Sequence, residues 1–189
     1  MLPIIISSIE NPQDRDLMSE FYTTHKGCMY AEAWKFMNQA EDVEDMVFEA
    51  LTRIIDKMDV FRDLLPKQRI VYAVTAVRNL CYIHLTRSNL YTMVSFDALE
   101  VEHPQEDCVS LETMMERKLL NEQVRQVWST LSAEERMLLE QKYILKWSDE
   151  ELAKEFNIQP QSVRMRLTRA KRSIIKQLKS QGFDLADWE

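Results

Sequence analysis

Glycine occurs only twice in this chain of 189 residues, at Gly27 and Gly182, and proline five times. Tight chain reversals draw on those residues, so a fold rich in hairpins has little to work with here. Long stretches instead repeat apolar residues at spacings of three and four, the period of a helix packed on one face. With 46% apolar residues the chain has enough material to bury a core. The expectation is an all-α protein.

The periodicity divides the chain into two small helical domains. Over Asp42–Met58, the residues Val43, Val47, Ala50, Leu51, Ile54 and Met58 fall on one helical face. A second helix is predicted over Gln68–Thr86, with Ile70, Val74, Val77, Cys81 and Leu85 as its inward stripe. Between them Phe61–Lys67 reads as a loop marked by Pro66. An earlier helix or pair over Arg15–Met37 turns Phe21, Tyr22, Met29, Ala33 and Phe36 to the same core. These helices form a first domain over 14–88. Residues 89–112 hold Asp97, Glu100, Glu102, Glu106, Asp107 and Glu112 with no Lys or Arg, which predicts an extended acidic linker. A second domain is expected over 113–180. It opens with a helix to about Ser129 and continues with two further helices begun by the same device. Ser132-Ala-Glu-Glu135 and Ser148-Asp-Glu-Glu151 both have the spacing of a capping box. After the first of these, Leu138, Leu139, Tyr143 and Ile144 are expected to face inward.

Charge is concentrated at the end of this second domain. From Asn157 to Gly182 there are seven basic residues and no acidic one, although the whole chain carries −7. A cationic helix on an acidic protein is the electrostatic footprint of a duplex-DNA reader. The turn Asn157-Ile158-Gln159 places at its start an Asn, which tolerates left-handed backbone. Pro160 then suits the first position of a helix, where a missing N–H costs nothing. On that helix Val163, Leu167, Ala170, Ile174 and Leu178 face Leu152, Ala153 and Phe156 of the preceding helix. The other face carries Arg164, Met165, Thr168 and Arg169, with Arg172 one turn on, and such a set suits base edges in a major groove. Gln161 and Ser162, near the helix start, are candidates for phosphate. Lys171, Lys176 and Lys179 are placed to neutralise backbone charge. Arg166 is also a candidate DNA contact, although it points off the main face, where pairing with an acidic neighbour is the alternative.

Other classes of function find less support. His25, His84 and His103 are scattered, and His25-x-x-Cys28 is a lone pair. Neither a glycine-rich phosphate loop nor a nucleophile–base arrangement stands out, so no enzyme, cofactor or metal site is expected. Cys28, Cys81 and Cys108 are odd in number and widely spaced, which suggests neither a disulfide framework nor a zinc site. No window approaches the ~20 apolar residues that span a bilayer, and Leu2–Ile6 is too short for a signal-peptide core. A cytoplasmic protein without membrane insertion is expected. A stand-alone helix-turn-helix regulator and a helical adaptor are the rival readings.

The segments LSAEERMLLEQKYILKWSDEELAKEF and NIQPQSVRMRLTRAKRSI resemble the promoter-reading fourth region of bacterial RNA polymerase sigma factors. DVEDMVFEALTRIIDKMDVFR and AVTAVRNLCYIHLTR resemble the second region of the same family. Two such blocks joined by a short linker are similar to the extracytoplasmic-function group of the sigma-70 family. The resemblance implies core RNA polymerase as partner, bound through Asp45, Phe48, Glu49 and Thr52; the family usually has Gln where Phe48 stands. It implies double-stranded and melted promoter DNA as further partners, and an anti-sigma factor as a candidate partner. Phe61–Lys67 and the helix after it resemble the part that opens the minus-ten element, which implies contacts from Phe61, Arg62, Arg78, Asn79 and Arg87. Tyr72 stands where many members have Trp, a position that commonly anchors the core. The resemblance likens the acidic linker to a segment running through the RNA path of polymerase.

Overall fold

The computed structural model describes residues 3–87 and 125–182, and their regular structure is helical, with no strand among the described residues. The elements are α1 (Ile4–Ser7), α2 (Pro12–Trp34), α3 (Ala40–Asp56), α4 (Met58–Asp63), α5 (Pro66–Arg87), α6 (Ala133–Tyr143), α7 (Asp149–Glu155) and α8 (Pro160–Ser180). Residues 125–129 are also helical. The chain divides into two compact units, one built on α1–α5 and the other built mainly on α6–α8. The acidic stretch 89–112, Cys108 and most of the helix expected from Thr113 lie outside the described residues.

In the first unit α2 starts at an Asn–Pro pair. The Asn11 side chain accepts from the Gln13 N–H at 2.9 Å and the Asp14 N–H at 3.4 Å, while Pro12 occupies the first turn. The helix runs unbroken to Trp34, so the expected helix or pair over Arg15–Met37 is one element. It buries Met18, Phe21, Tyr22, Met29 and Ala33. Phe36, past its end, is half-buried, and Met37 is the residue that enters the core.

Helix α3 has the expected face. Val43, Val47, Ala50, Leu51 and Ile54 are all buried, and Met46 joins them. Met58 is buried too, but from the start of α4. The stretch read as a loop from Phe61 is helical through Asp63 and extended at Leu64, before Pro66 opens α5. Phe61 faces the core and carries an aromatic stack. Its ring meets Phe21 edge-on at 5.0 Å and Tyr72 at 5.8 Å. Arg69 fastens this corner, donating from Nε to the Phe61 carbonyl at 3.1 Å and from Nη2 to the Arg62 carbonyl at 2.8 Å. The cation joins the Leu64 N–H on the Phe61 carbonyl and takes up the Arg62 carbonyl, at a helix end where positive charge is favoured.

Helix α5 packs against both α2 and α3. It is buried well beyond the expected single stripe: Tyr72, Ala73, Ala76, Leu80 and Ile83 are buried along with Val77, Cys81 and Leu85. Ile70 and Val74 are half-buried instead. A central helix has neighbours on several sides, so its sequence need not keep one polar face.

The second unit is organised by its two capping boxes. The Ser132 N–H donates to Glu135 Oε2 at 2.9 Å and the Glu135 N–H to Ser132 Oγ at 3.2 Å. Ser148 and Glu151 repeat the pattern at 2.8 and 3.2 Å. Leu138, Leu139, Leu152, Ala153, Val163, Leu167 and Ala170 form the core, with Phe156, Ile158 and Ile174 against it. Tyr143, expected inside, is exposed.

Candidate nucleic-acid interface

The turn from α7 into α8 has the expected backbone. Asn157 is left-handed with φ 51°, and the Ile158 N–H closes the turn onto the Ala153 carbonyl at 2.9 Å. Pro160 then takes the first helical position of α8. Val163, Leu167, Ala170 and Leu178 are buried on one side of α8. Their burial turns Gln161, Arg164, Met165, Thr168, Arg169 and Arg172 outward, and all six are exposed. Amphipathicity alone therefore orients the basic face.

The outward residues differ in what they are free to do. Arg169 and Arg172 are exposed and have no hydrogen-bond or ion-pair partner among the described residues. Met165 is half-exposed, an apolar surface between the arginines. Thr168 donates its hydroxyl to the Arg164 carbonyl at 2.8 Å, which leaves its oxygen lone pairs and methyl outward. At the helix start, the Ser162 and Val163 N–H groups both donate to the Gln159 carbonyl, at 2.8 and 3.2 Å. The open amide expected to help Ser162 hold a phosphate is thus the neighbouring Gln161 N–H. Lys171, Lys176 and Lys179 are exposed further along, of which Lys171 and Lys179 have partners within the chain.

Arg166 is set apart from this group. Its Nη1 pairs with Glu134 of α6, an acidic neighbour as expected. A guanidinium held there stitches α8 to α6, with its side chain still 41% exposed.

Arg164 is exposed, yet it is tied at one point. Its Nε donates to Asp149 Oδ2 at 2.7 Å, and Lys142 Nζ donates to Asp149 Oδ1 at 2.6 Å. The Arg164 hydrogen bond first, and the Lys142 one second, hold the Asp149 carboxyl below the usual carboxylate range. In the sequence Asp149 stands out only as the second residue of a capping box. Fifteen residues separate it from Arg164, and no local spacing pairs them.

The first unit presents a different surface. Asp45, Phe48 and Glu49 of α3 are exposed and Thr52 is half-buried, opposite the face that enters the core. Phe48 is 50% exposed, a large aromatic without a core to enter. Glu49 pairs with Arg53 at 2.7 Å, and Thr52 donates to the Phe48 carbonyl at 3.0 Å.

The residues expected at the minus-ten element separate by depth. Arg62 is at the surface, where Nε and Nη2 grip both oxygens of Asp14 at 2.8 and 2.7 Å. The Arg87 side chain lies outside the described residues. Phe61, Arg78 and Asn79 are buried in the chain without DNA. Arg78 donates from Nε to Glu32 Oε1 at 2.7 Å, and Lys35 pairs with the other Glu32 oxygen at 2.8 Å. A buried guanidinium needs such a counter-charge. Asn79 Nδ2 is buried without a hydrogen-bond partner among the described residues. None of the described His, Cys, Asp and Glu residues gather into a group able to hold a metal ion. No helix among the described residues is long and apolar enough to cross a membrane.

A capped short helix, a left-handed turn and a proline-started helix with an outward cationic face define a helix-turn-helix domain of the nucleic-acid-binding type. Residues 121–174 match the family model described as Sigma-70, region 4. The matched stretch contains α6, α7 and most of α8, and it supports a DNA-binding role in transcription. No curated protein sequence matches the chain.

Proposed function

We propose that this protein is an RNA polymerase sigma factor of the extracytoplasmic-function group, a dissociable subunit that directs initiation at particular promoters and is not itself a catalyst. The observation that carries the reading is the coincidence of the region 4 match with the outward basic face of α8 inside it. In this reading Arg164, Met165, Thr168 and Arg169 meet base edges of the minus-thirty-five element. Arg can clasp guanine with two hydrogen bonds, and an apolar side chain can meet a thymine methyl. Gln161, Ser162, Lys171 and Arg172 lie on the phosphates around them.

The first domain, taken from the sequence as 14–88, would dock on polymerase through Asp45, Phe48, Glu49 and Thr52. Phe48 replaces a polar contact by an apolar anchor there. Arg62 and Arg87 would face the minus-ten element, and Phe61, Arg78 and Asn79 would act from behind by holding the corner in shape. The acidic segment 89–112 would tether the two units and the protein would work in the cytoplasm, with an anti-sigma factor as a candidate regulator.

Reconstitution with core RNA polymerase tests the whole reading. The full chain should co-purify with core enzyme and confer promoter-specific transcription on genomic fragments. A chain that binds duplex DNA specifically but never associates with polymerase would be the rival stand-alone regulator. The region 4 match is confined to 121–174, which is why that rival is worth the control.

A further inference from the structure

Lys142, Asp149 and Arg164 belong to three successive helices, and the Asp149 carboxylate joins all three. One oxygen takes the Lys142 ammonium at 2.6 Å and the other takes Arg164 Nε at 2.7 Å. The Asp149 side chain is only 14% exposed, whereas that of Arg164 is 71% exposed. The carboxylate is therefore a fixed post and the guanidinium swings out from it.

The chemistry of the contact favours an arginine held ready over an arginine consumed. A guanidinium is a rigid plane with five N–H donors. Bonding through Nε engages its side and leaves the end formed by the two terminal nitrogens open. No other described residue bonds the Arg164 guanidinium. That open end has two parallel donors and can bond a guanine in two-pronged fashion. A free arginine must lose much rotamer freedom to make such a contact, and anchoring Nε removes part of that loss in advance.

We propose that Asp149 is a positioning residue for base reading, setting the plane of the Arg164 guanidinium so that its terminal edge meets the base. The proposal rests on the assignment of α8 as the DNA-reading helix. It makes a separable claim, because the negative charge of Asp149 repels phosphate while its hydrogen bond improves discrimination. Removing it should lower sequence preference and leave general affinity intact or raised.

The test uses the full chain and a pool of short DNA duplexes with a randomised centre. Selection by the wild-type protein defines a preferred sequence, and Arg164→Ala locates the base that Arg164 reads, as the position where preference disappears. Asp149→Asn should then reduce preference for that base by about tenfold, with affinity for duplexes carrying the other bases unchanged or increased. Combined with Arg164→Ala it should add no further loss. Thermal unfolding checks that the variant folds; Asp149→Ser, which also suits a helix start but is too short to keep the acceptor that an Asn amide oxygen retains, is the second variant and should lose at least as much preference. Preference unchanged in both variants overturns the proposal, and so does an equal loss of affinity on every duplex, the mark of a merely structural role. A wild-type chain that enriches no sequence overturns the DNA-reading assignment and this proposal together. Selection that ignores Arg164 but persists elsewhere overturns this proposal alone.

Discussion

At the scale of single residues, two carboxylates take part in ion pairs that a titration will reveal. Asp14 is gripped by Arg62 at both oxygens, and the hydrogen bond from Arg62 holds its carboxyl below the usual range against the opposing effect of burial. Asp149 is shifted the same way. An ordinary carboxyl titrates near about 3.9, so on acidification the unfolded chain takes up these protons before the native one does. Stability from both pairs is therefore full above that value and is lost as pH falls through the lower native values. Asp14→Asn should flatten the fall of the first unit's denaturation midpoint below about pH 4. Equal slopes in the variant and the wild type would show that the Arg62 pair adds no acid sensitivity. The thiols divide more simply: burial pushes Cys81 up to about 12, while Cys28 is exposed.

At the scale of elements, the ends of the helices are where sequence and backbone agree best. Both capping boxes, the proline at the start of α8 and the left-handed Asn157 are local devices whose partners lie within a few residues. The end of α6 uses the same logic with a less suitable residue. Lys146 is left-handed with φ 57°, and the Trp147 N–H returns to the Gln141 carbonyl at 3.0 Å. Glycine occupies that conformation without the crowding that a side chain brings. Lys146→Gly should accordingly stabilise the protein by about 1 kcal/mol, read as an upward shift of its denaturation midpoint. A downward shift would mean that the lysine side chain contributes more than its backbone costs.

At the scale of the whole molecule, the proposed division of labour gives each unit its own phenotype. Phe48 is exposed on α3, and an aspartate there would place a charge in what the reading takes as an apolar contact. Phe48→Asp should weaken binding to core polymerase at least tenfold, by the usual cost of losing an aromatic anchor, without changing the preference of the full chain for its selected duplex. Unchanged polymerase affinity would remove Phe48 from the docking surface. A joint loss of both activities would instead point to damage of the fold.

The helical class, the inward face of α3, the starts of α6, α7 and α8 and the outward face of α8 were all legible in the sequence, because each follows from contacts within a turn or two of chain. Burial of Val163 and Leu167 necessarily turns Arg164 and Arg169 the other way. The depth of Phe61, Arg78 and Asn79 was not legible, nor was the capture of Arg164 by Asp149. Arg78 meets Glu32 across 46 residues and Arg62 meets Asp14 across 48, and no periodicity encodes such a pairing. Local hydrogen bonding and amphipathic spacing determined the elements and their faces. Only the packing of α5 among its neighbours, and of α7 against α8, decided which charges were neutralised inside and which were left to face a partner.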